Sequence, residues 1–330
     1  MTATPVVGAS SQPRLVPYLS YSMFANDARR GVDINNLVPG NAPPPDQQAA
    51  LMQYIEAASA QGDEIMGHMT LAATYDTGAG QANIGPDWYI TIHPRYRPVA
   101  AVTAFSYGAT AAAMQPLASL AGTWVERTRF KVPVGPYGGI AVNTPQGPIQ
   151  FGAGGGPQQR VFCQYQYVNG YPVTYLTASV TAGATQIAVQ DTTGIIPGNT
   201  WLTIYAGRAR FRFLAGALSN STDGSGIAAG PGNVTIMQVG ASRLPAHDIT
   251  LAAGITNPAG DARAIMVSAV PADALEGFVY LTRGLIKDPG AASIIGMQTP
   301  SAVLARDPAG AANDIERGSQ ILLKHLAMLV

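Results

Sequence analysis

Charge is what this chain has least of. Only 12% of its 330 residues are Asp, Glu, Lys or Arg, against roughly a quarter in an ordinary soluble domain. The 19 basic and 19 acidic residues cancel, so the formal net charge at pH 7 is zero. Nucleic-acid-binding domains generally carry a basic excess, so DNA binding is not expected to be the main task. A neutral channel through which DNA passes stays open. Ala, Gly, Thr, Gln, Asn and Pro fill the place of the missing charge. A weakly charged surface keeps a free monomer dispersed poorly, and it suits a chain that buries surface against copies of itself or against partners. There is a single cysteine, Cys163, which excludes an intrachain disulfide and fits a reducing compartment. No run approaches the ~20 apolar residues of a membrane span, so no membrane partner is expected. Residues 1–12 have neither a basic nor an apolar leader segment, so no signal peptide is expected.

Signatures of catalysis are also missing. None of His68, His93, His247 and His325 pairs with another at helical ligand spacing, and neither HExxH nor CxxC occurs. Cys163 lies in a strand-like stretch without flanking cations, which reads as a structural thiol. Gly152 to Gly156 lacks the Lys-Ser/Thr of a phosphate-binding loop, and there is no G-x-S-x-G. Asp63 and Glu64 diverge on a helix, while Asp314 and Glu316 sit where a helix N-terminus favours acids. The expectation is a protein that is not an enzyme and has neither cofactor nor metal.

What is present falls into three stretches. Residues 1–87 read as helical, with a short helix near Ser20 to Arg30, an Asn- and Pro-rich loop, and a helix opening at Asp46 in which Leu51, Ile55, Ala58, Gly62, Ile65 and Met69 share a face. Residues 88–267 read as β: alternating stretches at Trp88 to Ile92, Val99 to Phe105, Val161 to Val168, Gln186 to Gln190, Trp201 to Tyr205 and Arg208 to Phe213, punctuated by Gly and Pro. Asn169-Gly170 reads as a hairpin signal. Residues 268–330 return to helix, with Leu275, Phe278, Thr282 and Leu285 on one face and a last helix from about Asn313. The expected fold class is α+β: a helical bundle from the N- and C-terminal segments, with a large inserted β-sandwich or barrel-like module.

Two features bear on partners. Residues 321–330 hold one full side-chain charge, on Lys324, and their apolar residues lie all round the helix. A helix of this kind is normally buried on every side, either in its own bundle or in another subunit. Arg208, Arg210 and Arg212 alternate with Ala209, Phe211 and Phe213, which in a strand turns all three arginines to one face. That face is either solvated or a basic strip meeting an acidic partner or DNA phosphate. The series Tyr165, Tyr167, Tyr171 and Tyr175 is either a stacking platform or cross-strand packing.

The stretch Phe24 to Asp76, with Ala50, Leu51, Ile55, Ala58, Ser59 and Asp63, resembles the N-terminal region of head–tail adaptor (connector) proteins of long-tailed bacteriophages. Leu281 to Lys287 followed by Asp-Pro-Gly, and Asp314 to Arg317 followed by Ile321-Leu322-Leu323, are similar to the late helices of the same family. The stretch Leu176 to Tyr205 looks like a small β module of virion proteins. The resemblance implies a homo-oligomeric ring, twelve-fold in the family, in the virion neck and assembled in the host cytoplasm. The ring docks beneath the portal protein, contacts the next neck or tail-completion protein, and lets DNA pass without specific binding. It further implies a portal-binding set of Ile315, Ile321, Leu322, Leu323, Lys324, His325, Leu326, Met328, Leu329 and Val330. The alternative is a carbohydrate- or receptor-binding virion protein that uses the β region, which needs aromatics clustered on one exposed β face.

Overall fold

A computed structural model describes residues 16–38, 43–67, 71–134, 140–144, 147–151, 160–221, 229–238, 245–252, 261, 263–288 and 308–327, with backbone only for 140–144 and 147–151. The chain is mostly β. Among the described residues there are fifteen strands and four helices, which corrects the expected helical bundle with an inserted module. The helices have no core of their own. They share one with strand residues Tyr175, Tyr205 and Met266, so sheet and helices bury each other's apolar faces.

The helices are α1 (Tyr21–Asn26), α2 (Pro44–Ile65), α3 (Ala272–Lys287) and α4 (Pro308–Ala327). Ser20 caps α1 by accepting the Met23 N–H on its hydroxyl at 3.2 Å. α2 starts at two prolines, where the missing N–H costs nothing, and buries Leu51, Ile55, Ala58 and Gly62 of the expected face, while Ile65 is half-buried and Met69 lies outside the described residues. α3 and α4 approach closely through glycines: a Cβ on Gly318 would stand 2.8 Å from the Gly277 carbonyl oxygen.

The first β layer is a four-stranded antiparallel sheet ordered β1 (Thr74–Asn83), β9 (Arg160–Asn169), β3 (Val99–Gly108), β4 (Gln115–Pro116). Across a core of Val102, Phe105, Phe130, Val132, Cys163 and Tyr165 lies a three-stranded sheet, β2 (Tyr89–Ile92), β6 (Phe130–Pro133), β5 (Trp124–Val125). A two-stranded ribbon, β7 (Ile140–Thr144) with β8 (Gly147–Phe151), interrupts the chain between them. The strand β1 falls inside the stretch read as helical. Its Thr-Tyr-Asp-Thr-Gly-Ala-Gly-Gln-Ala-Asn sequence has no apolar alternation because β1 is an edge strand, and Gly78 makes room for the ring of Tyr165, which would stand 2.3 Å from a Cβ there.

The second β layer is a six-stranded sheet ordered β10 (Val173–Tyr175), β15 (Met266–Ser268), β12 (Trp201–Ala206), β13 (Ala209–Leu218), β14 (Gly232–Met237), β11 (Gln186–Val189). One face buries Ile187, Leu202, Ile204, Phe213, Val234 and Val267. The other meets the helices at Tyr175, Tyr205 and Met266. Asn169-Gly170 does not make a hairpin: β9 pairs with β1 and β3, and β10 pairs with β15, so the chain crosses here from one sheet to the other. Gly170, at φ 88°, is needed because a Cβ would lie 2.6 Å from the Ala72 carbonyl oxygen.

Candidate functional site

The arginine row sits on the β12–β13 hairpin. Ala206 pairs with Ala209, so Gly207 and Arg208 form a two-residue turn, with Gly207 at φ 61°. Arg210 and Arg212 therefore stand on one face of β13, while Arg208 belongs to the turn. All three are exposed, and Phe211 and Phe213 point the other way into the core. The register sets Arg210 opposite Tyr205 and Arg212 opposite Thr203. The Arg210 guanidinium lies 5.6 Å from the Tyr205 ring centre, and that of Arg212 lies 5.1 Å from the Trp201 ring centre. Arg208 lines a cleft of about 510 Å³ with Asn26, Asp27, Arg30 and Gly31. Asp27 already holds Arg29, Nη2 to Oδ2 at 2.8 Å, and the Arg29 hydrogen bond keeps its carboxyl below the usual range. The aromatic platform escaped the sequence reading. The two-residue Gly-Arg turn in Tyr-Ala-Gly-Arg-Ala-Arg would have fixed this register.

Helix α4 lies against its own chain along one stripe: Ala311, Asp314, Gly318, Leu322 and His325 are buried. Of the expected portal-binding set, Leu322 is fully buried against α2 and α3, where it closes on Gly62 and Gly277. His325 is buried with Nδ1 3.1 Å from Asp273 Oδ2 and Nε2 3.5 Å from the Tyr171 hydroxyl. Burial works against the Asp273 charge, but the His325 contact and backbone N–H groups outweigh it and hold the carboxyl below its usual range. Ile315, Ile321 and Leu326 are half-buried, Lys324 is exposed, and Leu323 is 48% exposed. Met328, Leu329 and Val330 lie outside the described residues.

Asp314 is not a helix-start acid. It lies inside α4, where Arg283 Nε donates to its Oδ2 at 2.6 Å and Lys287 Nζ approaches at 3.0 Å. Arg283 Nη1 also donates to the Arg29 carbonyl at 2.9 Å, so one side chain ties α3 to α4 and to the loop after α1. Tyr280 lies beneath both Arg283 and Arg317, with ring-centre distances of 4.7 and 4.3 Å. At the other end of the helical layer, Tyr18 donates to Asp63 Oδ1 at 2.7 Å and accepts the Leu71 N–H at 2.9 Å. Burial pushes the Asp63 carboxyl up to about 7, against the Tyr18 and Leu71 hydrogen bonds that favour its charged form.

Burial likewise raises the Cys163 thiol to about 12, the state of an inert core cysteine. Tyr165 and Tyr167 pack against Phe130 in the first sandwich, while Tyr171 and Tyr175 belong to the helix–sheet boundary. The tyrosines therefore do not form one platform. A cleft of about 990 Å³ between Tyr75, Thr103 and Gln166 on one side and Ser119 and Thr123 on the other has no carboxylate, imidazole, amine or thiol in its lining. No group of three or more His, Cys, Asp or Glu among the described residues could hold a metal ion. No helix among them is long and apolar enough to cross a membrane. Trp124 is 64% exposed on the outward face of the three-stranded sheet, which it shares with Tyr89, Thr91 and Lys131.

Comparison with protein-family models, curated proteins and solved structures found no match to this chain.

Proposed function

We propose that this chain is a structural virion protein whose copies form a ring joining the portal to the neck or tail, with DNA passing through it. The observation that carries the reading is where the adaptor-like segments meet. Phe24 and the Ala50-to-Asp63 stretch lie in α1 and α2, Leu281 to Lys287 in α3, and Asp314 to Leu323 in α4. Segments about as far apart in sequence as the chain allows come together in one layer. Asp314 is held by Arg283 and Lys287, and Leu322 is seated on Gly62 and Gly277.

The portal-facing part of α4 is then its outer face, with Leu323 and Lys324, rather than the whole turn of residues 321–330. Removing 321–330 takes Leu322 and His325 out of the core and so tests folding as much as docking. The cleaner variant is Leu323→Asp with Lys324→Glu. It is expected to unfold at the same denaturant concentration as the parent while losing capture by purified portal at least tenfold. Undiminished capture sinks the assignment of that face.

One observation favours the carbohydrate- or receptor-binding alternative: Trp124 and Tyr89 on the outward face of one small sheet. A glycan-array signal that disappears in Trp124→Ala would support it.

A further inference from the structure

The arginine row concentrates exposed positive charge on one hairpin. Among the described residues, Arg208, Arg210 and Arg212 make no salt bridge, while Arg29, Arg129, Arg263 and Arg283 are paired with carboxylates; the Arg210 charge is felt by the Asp27 carboxyl without a salt bridge. The guanidinium groups of Arg210 and Arg212 each lie over an aromatic ring. Such a contact holds the side chain while leaving N–H donors for a ligand, and it limits the freedom lost when that ligand arrives.

Alternate residues of a strand repeat at roughly 6.6–6.8 Å, which spaces Arg210 and Arg212; Arg208 at the turn lines a cleft with Arg30 and with Asp27, whose carboxylate is held by Arg29. A row of donors on one hairpin fits a polymer of anions better than a single small anion. The neighbours also discriminate between polymers. Protein interfaces centre on buried aromatic or aliphatic anchors, and the large hydrophobics left exposed, Tyr75, Trp88, Trp124 and Leu323, are not members of this row. Beside Arg212 stands Thr203 instead, whose hydroxyl is directed at the Tyr205 phenol and helps hold the platform.

We propose that Arg208, Arg210 and Arg212, on their Trp201–Tyr205 platform beside Arg30, bind the phosphodiester backbone of duplex DNA without reading its sequence. The biological setting of this contact rests on the connector reading. Its chemistry is a weak electrostatic contact that salt weakens, consistent with a chain of zero net charge that guides DNA without retaining it. Three neutralised phosphates per engaged chain give a slope of about −2.7 in log affinity against log salt, or an affinity loss of about 40-fold from about 50 to about 200 mM salt.

The test is fluorescence anisotropy of a labelled mixed-sequence duplex titrated with the full chain across that salt range, with the solution mass of each sample recorded. The triple variant Arg208→Ala/Arg210→Ala/Arg212→Ala is expected to lose binding and flatten the salt slope while its unfolding midpoint stays unchanged. Arg210→Lys/Arg212→Lys is expected to keep the slope and bind several-fold more weakly. Absence of binding by the parent at low salt, or parental binding by the triple variant, overturns the proposal. Displacement of the duplex by poly-glutamate at equal charge concentration also overturns it and makes the strip a site for an acidic protein. A ring that ignores the duplex removes only the strip assignment. A monomer that binds the duplex leaves the strip and removes the ring.

Discussion

Asp63 shows how one half-buried side chain can set a pH dependence. Its folded carboxyl is raised to about 7 by burial, above the ordinary value near 3.9 of an unfolded chain. The folded state therefore holds the proton more tightly. The stability this contributes is fully present below about pH 4 and is lost as pH rises through 7. Asp63→Asn keeps an acceptor for the Tyr18 hydroxyl and removes the penalty of charging. It is expected to raise stability at pH 8 by roughly 1–3 kcal/mol and to leave it nearly unchanged at pH 4, as read by urea unfolding at the two pH values. Equal shifts at both would show that burial does not control this carboxyl. In the sequence Asp63 is one of two adjacent acids that diverge on a helix. Only the fold brings Tyr18 across to it, 45 residues away.

Helices were the more legible elements. A face repeating at three and four residues is a local signal, and α1, α2 and α3 form within the stretches it marked, although α1 ends at Asn26 rather than Arg30 and α2 opens at Pro44 rather than Asp46. Strands with buried alternation were legible for the same reason, as in β9, β12 and β13. The edge strand β1 was not, because its residues are small and polar and its partner β9 begins 77 residues after it ends. Nor was the joining of α3 to α4, because Asp314 reads as a helix-start acid until Arg283 and Lys287 are seen around it. That cluster predicts strong coupling. Asp314→Ala takes from Arg283 the carboxylate that holds it and is expected to cost roughly 3 kcal/mol, and the cycle with Arg283→Ala should show at least about 1 kcal/mol of non-additivity in denaturant midpoints. Additive effects would mean that the pair contributes nothing to holding α4 in place.

For the whole molecule, local signals misjudged the balance of the parts. Helices at both ends implied an independent bundle, yet the six-stranded sheet supplies Tyr175, Tyr205 and Met266 to the same core, and strands outnumber helices throughout the described chain. The apolar terminal helix was expected to be buried either in its own chain or in another subunit. Its stripe from Ala311 to His325 is buried within the chain, and Leu323 is left outside. The arginine row was legible as a row, while its aromatic support depended on strand pairing.

The central claim is that the copies assemble into a ring that engages a portal. Light scattering after size-exclusion chromatography, on the full chain alone and mixed with its cognate portal, tests it most directly. The account predicts a closed oligomer of many chains, alone or on the portal, and a shared peak that the Leu323→Asp/Lys324→Glu variant does not join. A monomer of about the 34.2 kDa chain mass that elutes apart from the portal would contradict it.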